Sequence, residues 1–228
     1  MTGVMTLYRS SIGKKAIMAV TGFILVGFVF IHMVGNLKMY FGAEDYNAYG
    51  EFLRNVGYPL LPHEGLLWIV RLVLIASVGL HIMSATQLTL MSQASRPHDY
   101  GNKDVVQPLY VYASRTMRWG GIIIALFIVY HLLHFTTGTL HDSFIPGDVY
   151  HNVVMGFRVW WVSLFYILAM LPLGLHLMHG IWSMFQTLGF NNSKYTRFLR
   201  TTALAVTGAI ILGNISFPLA VLMGIVAK

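Results

Sequence analysis

Four histidines sit deep inside apolar runs: Phe30-Ile31-His32-Met33-Val34, Gly79-Leu80-His81-Ile82-Met83, Val129-Tyr130-His131-Leu132-Leu133 and Gly174-Leu175-His176-Leu177-Met178. Water cannot satisfy an imidazole in such a setting, so each ring needs a hydrogen-bonding group on a neighbouring helix or a metal. The chain has ten histidines against eight acidic residues and no cysteine. Without thiols, disulfides, thiolate-bound iron–sulfur clusters, CxxC zinc sites and covalent c-type haem are excluded. A redox centre held here must use nitrogen, oxygen or thioether donors, and histidine is the obvious one. The thirteen methionines show no layered pattern and read as packing.

The elements that must position these rings are membrane helices. The sequence is 56% hydrophobic and 10% charged, a balance that leaves no solvated faces for a soluble fold. Apolar stretches at about 15–38, 66–92, 117–138, 159–185 and 201–226 each reach the roughly 20 residues needed to cross the hydrocarbon core. The expected fold is therefore all-α, a single integral membrane bundle of five transmembrane helices over residues 1–228. The first stretch is too long, and too poorly supplied with a cleavage site, for a removable signal peptide.

Lysine and arginine set the expected orientation. Arg9, Lys14, Lys15, Arg96, Lys103, Arg115, Arg118, Lys194, Arg197 and Arg200 fall on one side, whereas Lys38, Arg54, Arg71, Arg158 and Lys228 fall on the other. The richer side is cytoplasmic, which puts the N-terminus inside and the C-terminus outside. The net charge of +7 forms no stripe and does not point to nucleic acid. The outer loop carries Ala43-Glu44-Asp45-Tyr46-Asn47-Ala48-Tyr49-Gly50-Glu51-Phe52-Leu53, read as a short interfacial helix with aromatic anchors. No loop is long enough for a soluble catalytic domain, so chemistry on a water-soluble substrate must fall to another chain.

At about 1.5 Å of rise per residue, His32 and His131 lie roughly 9 Å below the outer boundary, and His81 and His176 about 22–25 Å below it. Two layers, about 14 Å apart and each fed by two different helices, match the way a helical bundle clasps two haems through paired imidazoles. The near-repeat Gly79-Leu80-His81-Ile82-Met83 and Gly174-Leu175-His176-Leu177-Met178 supports the inner pairing. Its glycines leave the backbone bare before each ring, and Gly27, Gly35, Gly138 and Gly180 are read as opening space around other histidines. Pro172, four residues before His176, is expected to kink its helix and free a carbonyl that orients the ring. His134 and His179 are rival ligands three residues after favoured ones, but their depths do not match a partner, which favours helix–helix or propionate contacts for both.

These residues resemble the single-chain dihaem cytochrome b membrane-anchor subunit of the succinate dehydrogenase and fumarate reductase family. The likeness is carried by Ser10-Ser11-Ile12-Gly13-Lys14-Lys15-Ala16-Ile17-Met18-Ala19-Val20-Thr21-Gly22, by Phe30-Ile31-His32-Met33-Val34-Gly35-Asn36-Leu37 and by His176-Leu177-Met178-His179-Gly180-Ile181-Trp182-Ser183. The resemblance implies two haems b, the distal one on His32 and His131 and the proximal one on His81 and His176. It also implies a flavoprotein and an iron–sulfur subunit as partners on the inner side, a membrane quinone (menaquinone or ubiquinone) as electron acceptor, and a bacterial cytoplasmic membrane as location. One departure stands out. Gly174 occupies a position where some members carry a glutamate for a transmembrane proton path, and no acid lies in any helix core here.

His63 and Glu64, at the outer start of the second helix, are candidates for a quinone pocket, against a plain reading as helix-start residues. Arg71 and Arg158 are placed either to meet haem propionates or to reach the interface with their charged ends. Two other readings compete: the cytochrome b anchor of a formate dehydrogenase or hydrogenase, and a transporter using the histidines for protons or divalent cations. The Ser10–Gly22 motif argues against the former. A reduced-haem absorbance spectrum separates the latter.

Overall fold

A computed structural model describes residues 3, 6, 9–95, 108–190 and 192–226. Arg96, Lys103 and Lys228, used above for orientation, lie outside the described residues. Among the described residues every regular element is helical, and five helices are long and apolar enough to cross a membrane.

Helix α1 (Ser11–Asn36) begins where the Ser10 hydroxyl accepts the Gly13 N–H at 3.0 Å, a standard N-cap arrangement. It tightens into a 3-10 turn at Leu37–Phe41 and stops at Gly42, whose φ of 102° suits only glycine well. Helix α2 (Ala43–Asn55) follows, with Glu44 and Asp45 in its first turn and Arg54 in its last, each charge complementing the helix dipole. This is the expected interfacial helix, two residues longer than its sequence suggests. Helix α3 (Gly65–Ala94) and helix α4 (Pro108–His131) are the second and third spans, and α4 ends in a single π-helical turn at Leu132–Thr136.

Between the third and fourth spans lies a helix that hydropathy alone does not separate. Helix α5 (Val149–Arg158) starts on Asp148, whose carboxylate accepts the His151 N–H at 2.9 Å. It breaks at Val159 before helix α6 (Trp160–Thr187). The buried Ser163 hydroxyl donates to the Phe157 carbonyl at 2.6 Å and ties the two helices across that break. Helix α7 (Ser193–Leu222) starts on Asn192, whose side chain accepts the Lys194 N–H at 2.9 Å. It therefore begins eight residues before the expected position at Thr201, because the Asn192 cap starts it within the basic segment that hydropathy discounts, and it ends four residues before the expected Val226.

In the bundle α1 packs on α3, α6 and α7, α6 on α7, and α4 on α6. The closely packed pairs include neither α1 with α4 nor α3 with α6 among the described residues. Two apolar cores hold the bundle. One joins Leu177, Ile181 and Trp182 of α6 to Leu199, Ala203 and Ile210 of α7. The other lies under α2 and α5, where Met39, Tyr46, Val154, Phe157, Tyr166 and Phe217 meet. At this end Asn47 locks the two short helices together: its Nδ2 donates to Asp148 Oδ1 and its Oδ1 accepts the Tyr150 N–H, both at 2.9 Å.

Candidate functional site

The two pairs of helices that do not pack closely are joined by histidine rings. His32 of α1 and His131 of α4 stand with ring centres 5.9 Å apart, and His81 of α3 and His176 of α6 with ring centres 6.3 Å apart. Two imidazoles sharing one metal ion at bond lengths of about 2.0 Å hold their ring centres roughly 6 Å apart. Both pairs meet that requirement between helices that do not pack closely.

Small residues let the backbone come close to the inner pair. A Cβ on Gly22 of α1 would lie 3.6 Å from His81 Cε1, and one on Gly121 of α4 would lie 3.7 Å from His176 Cε1. A Cβ on the adjacent Gly120 would lie 3.8 Å from the carbonyl oxygen of Pro172. The glycines singled out by the sequence repeat do other work. Gly174 faces Ile211 of α7, and a Cβ on Gly79 would meet nothing within 4 Å. Gly35 lies against the Tyr49 ring, not against a histidine, and Gly138 (φ 72°) belongs to a turn closed by Phe144. Gly27 and Gly180 likewise have nothing within 4 Å of a built Cβ.

The ring nitrogens differ in what they meet. His81 Nδ1 lies 3.0 Å from the Thr21 hydroxyl, whereas His176 Nδ1 is buried and has no close hydrogen-bond partner among the described residues, its ring facing the Met117 backbone. On the other side, His131 Nδ1 lies 3.5 Å from the Tyr166 hydroxyl. His32 Nε2 lies 3.3 Å from Asn36 Nδ2, and Asn36 Oδ1 accepts the Tyr46 hydroxyl at 2.8 Å. Burial, and then the neighbouring Tyr49, push the Tyr46 phenol above its ordinary range, so it donates as a neutral group. The amide of Asn36 thus approaches one of the two nitrogens that His32 offers, and ligation through Nε2 requires that contact to yield.

His134 has a full set of neighbours of its own. It is 2% exposed, its Nδ1 lies 3.1 Å from the Tyr166 hydroxyl, and its ring stacks on His141 at 4.9 Å between centres. His141 Nε2 donates to the Asn152 carbonyl at 2.8 Å while its Nδ1 accepts the Ser143 N–H at 3.2 Å, which fixes it as a neutral ring. Gly156 makes room for this cluster, since a Cβ there would lie 2.9 Å from His134 Cε1 and 3.2 Å from His141 Nε2. Tyr166 and His141 were not apparent as part of the site. A tyrosine inside an apolar span and a loop histidine carry no spacing signal of their own.

The remaining candidates sit in an ion-pair network at the start of α3. Glu64 contacts Arg54 at 3.4 Å and Arg71 at 3.8 Å, and His63 contacts Glu51 at 3.7 Å. Arg71 also lies over the Trp68 ring at 4.8 Å. Arg158, in α5, contacts Met155 Sδ at 3.8 Å. His179 Nδ1 is buried without a partner. No group of three or more metal-ligating side chains occurs among the described residues, so the histidine pairs are the arrangement that offers metal coordination, and only within a ligand that supplies the other positions.

A family model described as Succinate dehydrogenase/Fumarate reductase transmembrane subunit matches residues 93–217. That is more than half of the chain, and it covers the third and fourth spans with most of the fifth. The chain belongs to this family. No curated protein and no solved structure matches it. The protein is thus a multi-pass membrane subunit of the succinate dehydrogenase and fumarate reductase type. The matched segment contains His131 and His176, one member of each ring pair, while His32 and His81 lie before it.

Proposed function

We propose that this chain is the dihaem cytochrome b anchor of a succinate:quinone oxidoreductase, with His32 and His131 holding one haem b and His81 and His176 the other. The observation that carries this reading is the pairing itself: two sets of intramembrane imidazoles, each set bridging helices that do not pack closely, at the separation that bis-imidazole coordination requires. When bound, the haems supply one-electron carriers spaced across the membrane, linking an iron–sulfur subunit to a lipid-soluble quinone. The chain's own residues hold the imidazoles opposite one another between apolar helices. Succinate chemistry itself belongs to the flavoprotein partner. The excess of basic residues on the N-terminal side supports docking of the two soluble subunits there, with the N-terminus in the cytoplasm of a bacterium and the C-terminus outside.

His63 and Glu64 are the quinone candidates in this reading, with menaquinone and ubiquinone both chemically suited. The ion pairs of Glu64 with Arg54 and Arg71, and the contact of His63 with Glu51, also account for them as the polar rim of α3. The family match favours this reading over a formate dehydrogenase or hydrogenase anchor and over a transporter.

Purification of the tagged chain from its native membrane tests the assembly. A flavoprotein and an iron–sulfur protein are expected to accompany it, and succinate is expected to bleach the oxidised haem spectrum of the preparation. Companions of another dehydrogenase, or a preparation with no haem absorbance, would overturn the proposal.

A further inference from the structure

Thr21 occupies a buried position in α1, 4% exposed, and its single hydroxyl proton can be placed. Thr21 Oγ1 is 2.7 Å from the Ile17 carbonyl, with the Met18 carbonyl at 3.3 Å. A carbonyl only accepts, so the hydroxyl proton is committed to the α1 backbone. With that proton on the backbone, the 3.0 Å contact between Thr21 Oγ1 and His81 Nδ1 is left for the proton of an Nδ1–H imidazole, with the threonine oxygen accepting and the Met18 backbone beside the same ring. A neutral imidazole protonated at Nδ1 keeps its lone pair on Nε2. The next residue, Gly22, lets α1 approach the same ring, so two consecutive residues fix both the ring's position and its tautomer.

We propose that Thr21 is a positioning residue for His81: its hydroxyl accepts from Nδ1–H, commits Nε2 to the metal and makes the imidazole a stronger donor. This rests on the reading of His81 and His176 as axial ligands. A metal-bound histidine that donates its other N–H to an oxygen is held in one orientation and gains basicity, which favours the ferric over the ferrous state. The effect is specific to one pair. His131 has only a longer contact to a tyrosine shared with His134, and His32 meets an amide through Nε2.

Thr21→Val keeps the shape and removes the hydroxyl, and Thr21→Ser keeps the hydroxyl. Both are compared with the unaltered chain in the intact purified complex, by redox titration of the haem absorbance and by low-temperature electron paramagnetic resonance. In Thr21→Val the midpoint potential of one haem, the one lost in His176→Ala, is expected to rise and its largest g value to move, while the other haem is unchanged. Thr21→Ser is expected to restore both signals. Selective loss of that haem in Thr21→Val, with retention in Thr21→Ser, supports the same role. Unchanged signals in Thr21→Val, equal shifts in both haems, or a Thr21→Ser protein that behaves like Thr21→Val would overturn it and show a packing role. Absence of haem from the unaltered complex would instead remove the ligand reading on which this role depends.

Discussion

Replacing His176 by alanine is expected to abolish rapid reduction by succinate and to remove one of the two haem signals. The ring of His176 faces His81, with ring centres 6.3 Å apart. His179, three residues on, has its own buried Nδ1, without a hydrogen-bond partner among the described residues. Replacing His131, which faces His32, is expected to remove the other signal and leave succinate-dependent reduction of the remaining one. The difference follows from the proposed docking of the electron donor on the basic, N-terminal side. Protein content measured beside the spectra separates loss of a ligand from loss of the subunit, since each change leaves a cavity and an unpaired imidazole. If His131→Ala eliminates the succinate-reducible haem while His176→Ala preserves it, the inside-to-outside order is reversed.

The second large effect concerns the cap over His134. Asn152 is 5% exposed and satisfies both backbone groups of Ile145: its Oδ1 accepts the Ile145 N–H at 2.8 Å, and its Nδ2 donates to the Ile145 carbonyl at 2.8 Å. The carbonyl of Asn152 meanwhile holds His141. Alanine at this position would orphan the Ile145 N–H in the loop before α5, at about 1–3 kcal/mol if it stays buried, while the Ile145 carbonyl keeps the Asp148 N–H at 3.2 Å. Asn152→Ala is expected to lower the thermal midpoint of the detergent-purified subunit and to expose the 139–148 loop to protease first. Stability and cleavage equal to those of the unaltered protein would show that the loop is held some other way. Asn152→Asp, which keeps the acceptor and loses the donor, is expected to fall between.

The spans were legible because hydropathy over about 20 residues is a strong signal when nothing competes with it. Their ends were less so. The α7 start depends on the Asn192 cap and on basic residues that a hydropathy window discounts, and the separation of α5 from α6 depends on Asp148, Val159 and Ser163. The Asp148 cap was readable in principle, since an aspartate before a run of helix formers is a start signal. Depth along each helix pointed to the two histidine pairs whose rings meet. Rotation about the helix axis was not readable at the same precision, so the partners of the outer nitrogens were out of reach. Asn36 beside His32, and Tyr166 shared by His131 and His134, depend on side-chain angles and on the π turn that ends α4. Thr21 lay within a motif that was noticed, yet its contact with His81 spans two helices, and no periodicity in α1 reveals it.

The central claim is that two pairs of imidazoles each hold one haem. It is tested most directly by a pyridine haemochrome assay on the purified subunit, with protein measured by amino-acid analysis. Two b-type haems per chain are expected, both low-spin if each is held by two of the paired histidines. A value of one, or none, in a preparation shown to be folded would contradict the account.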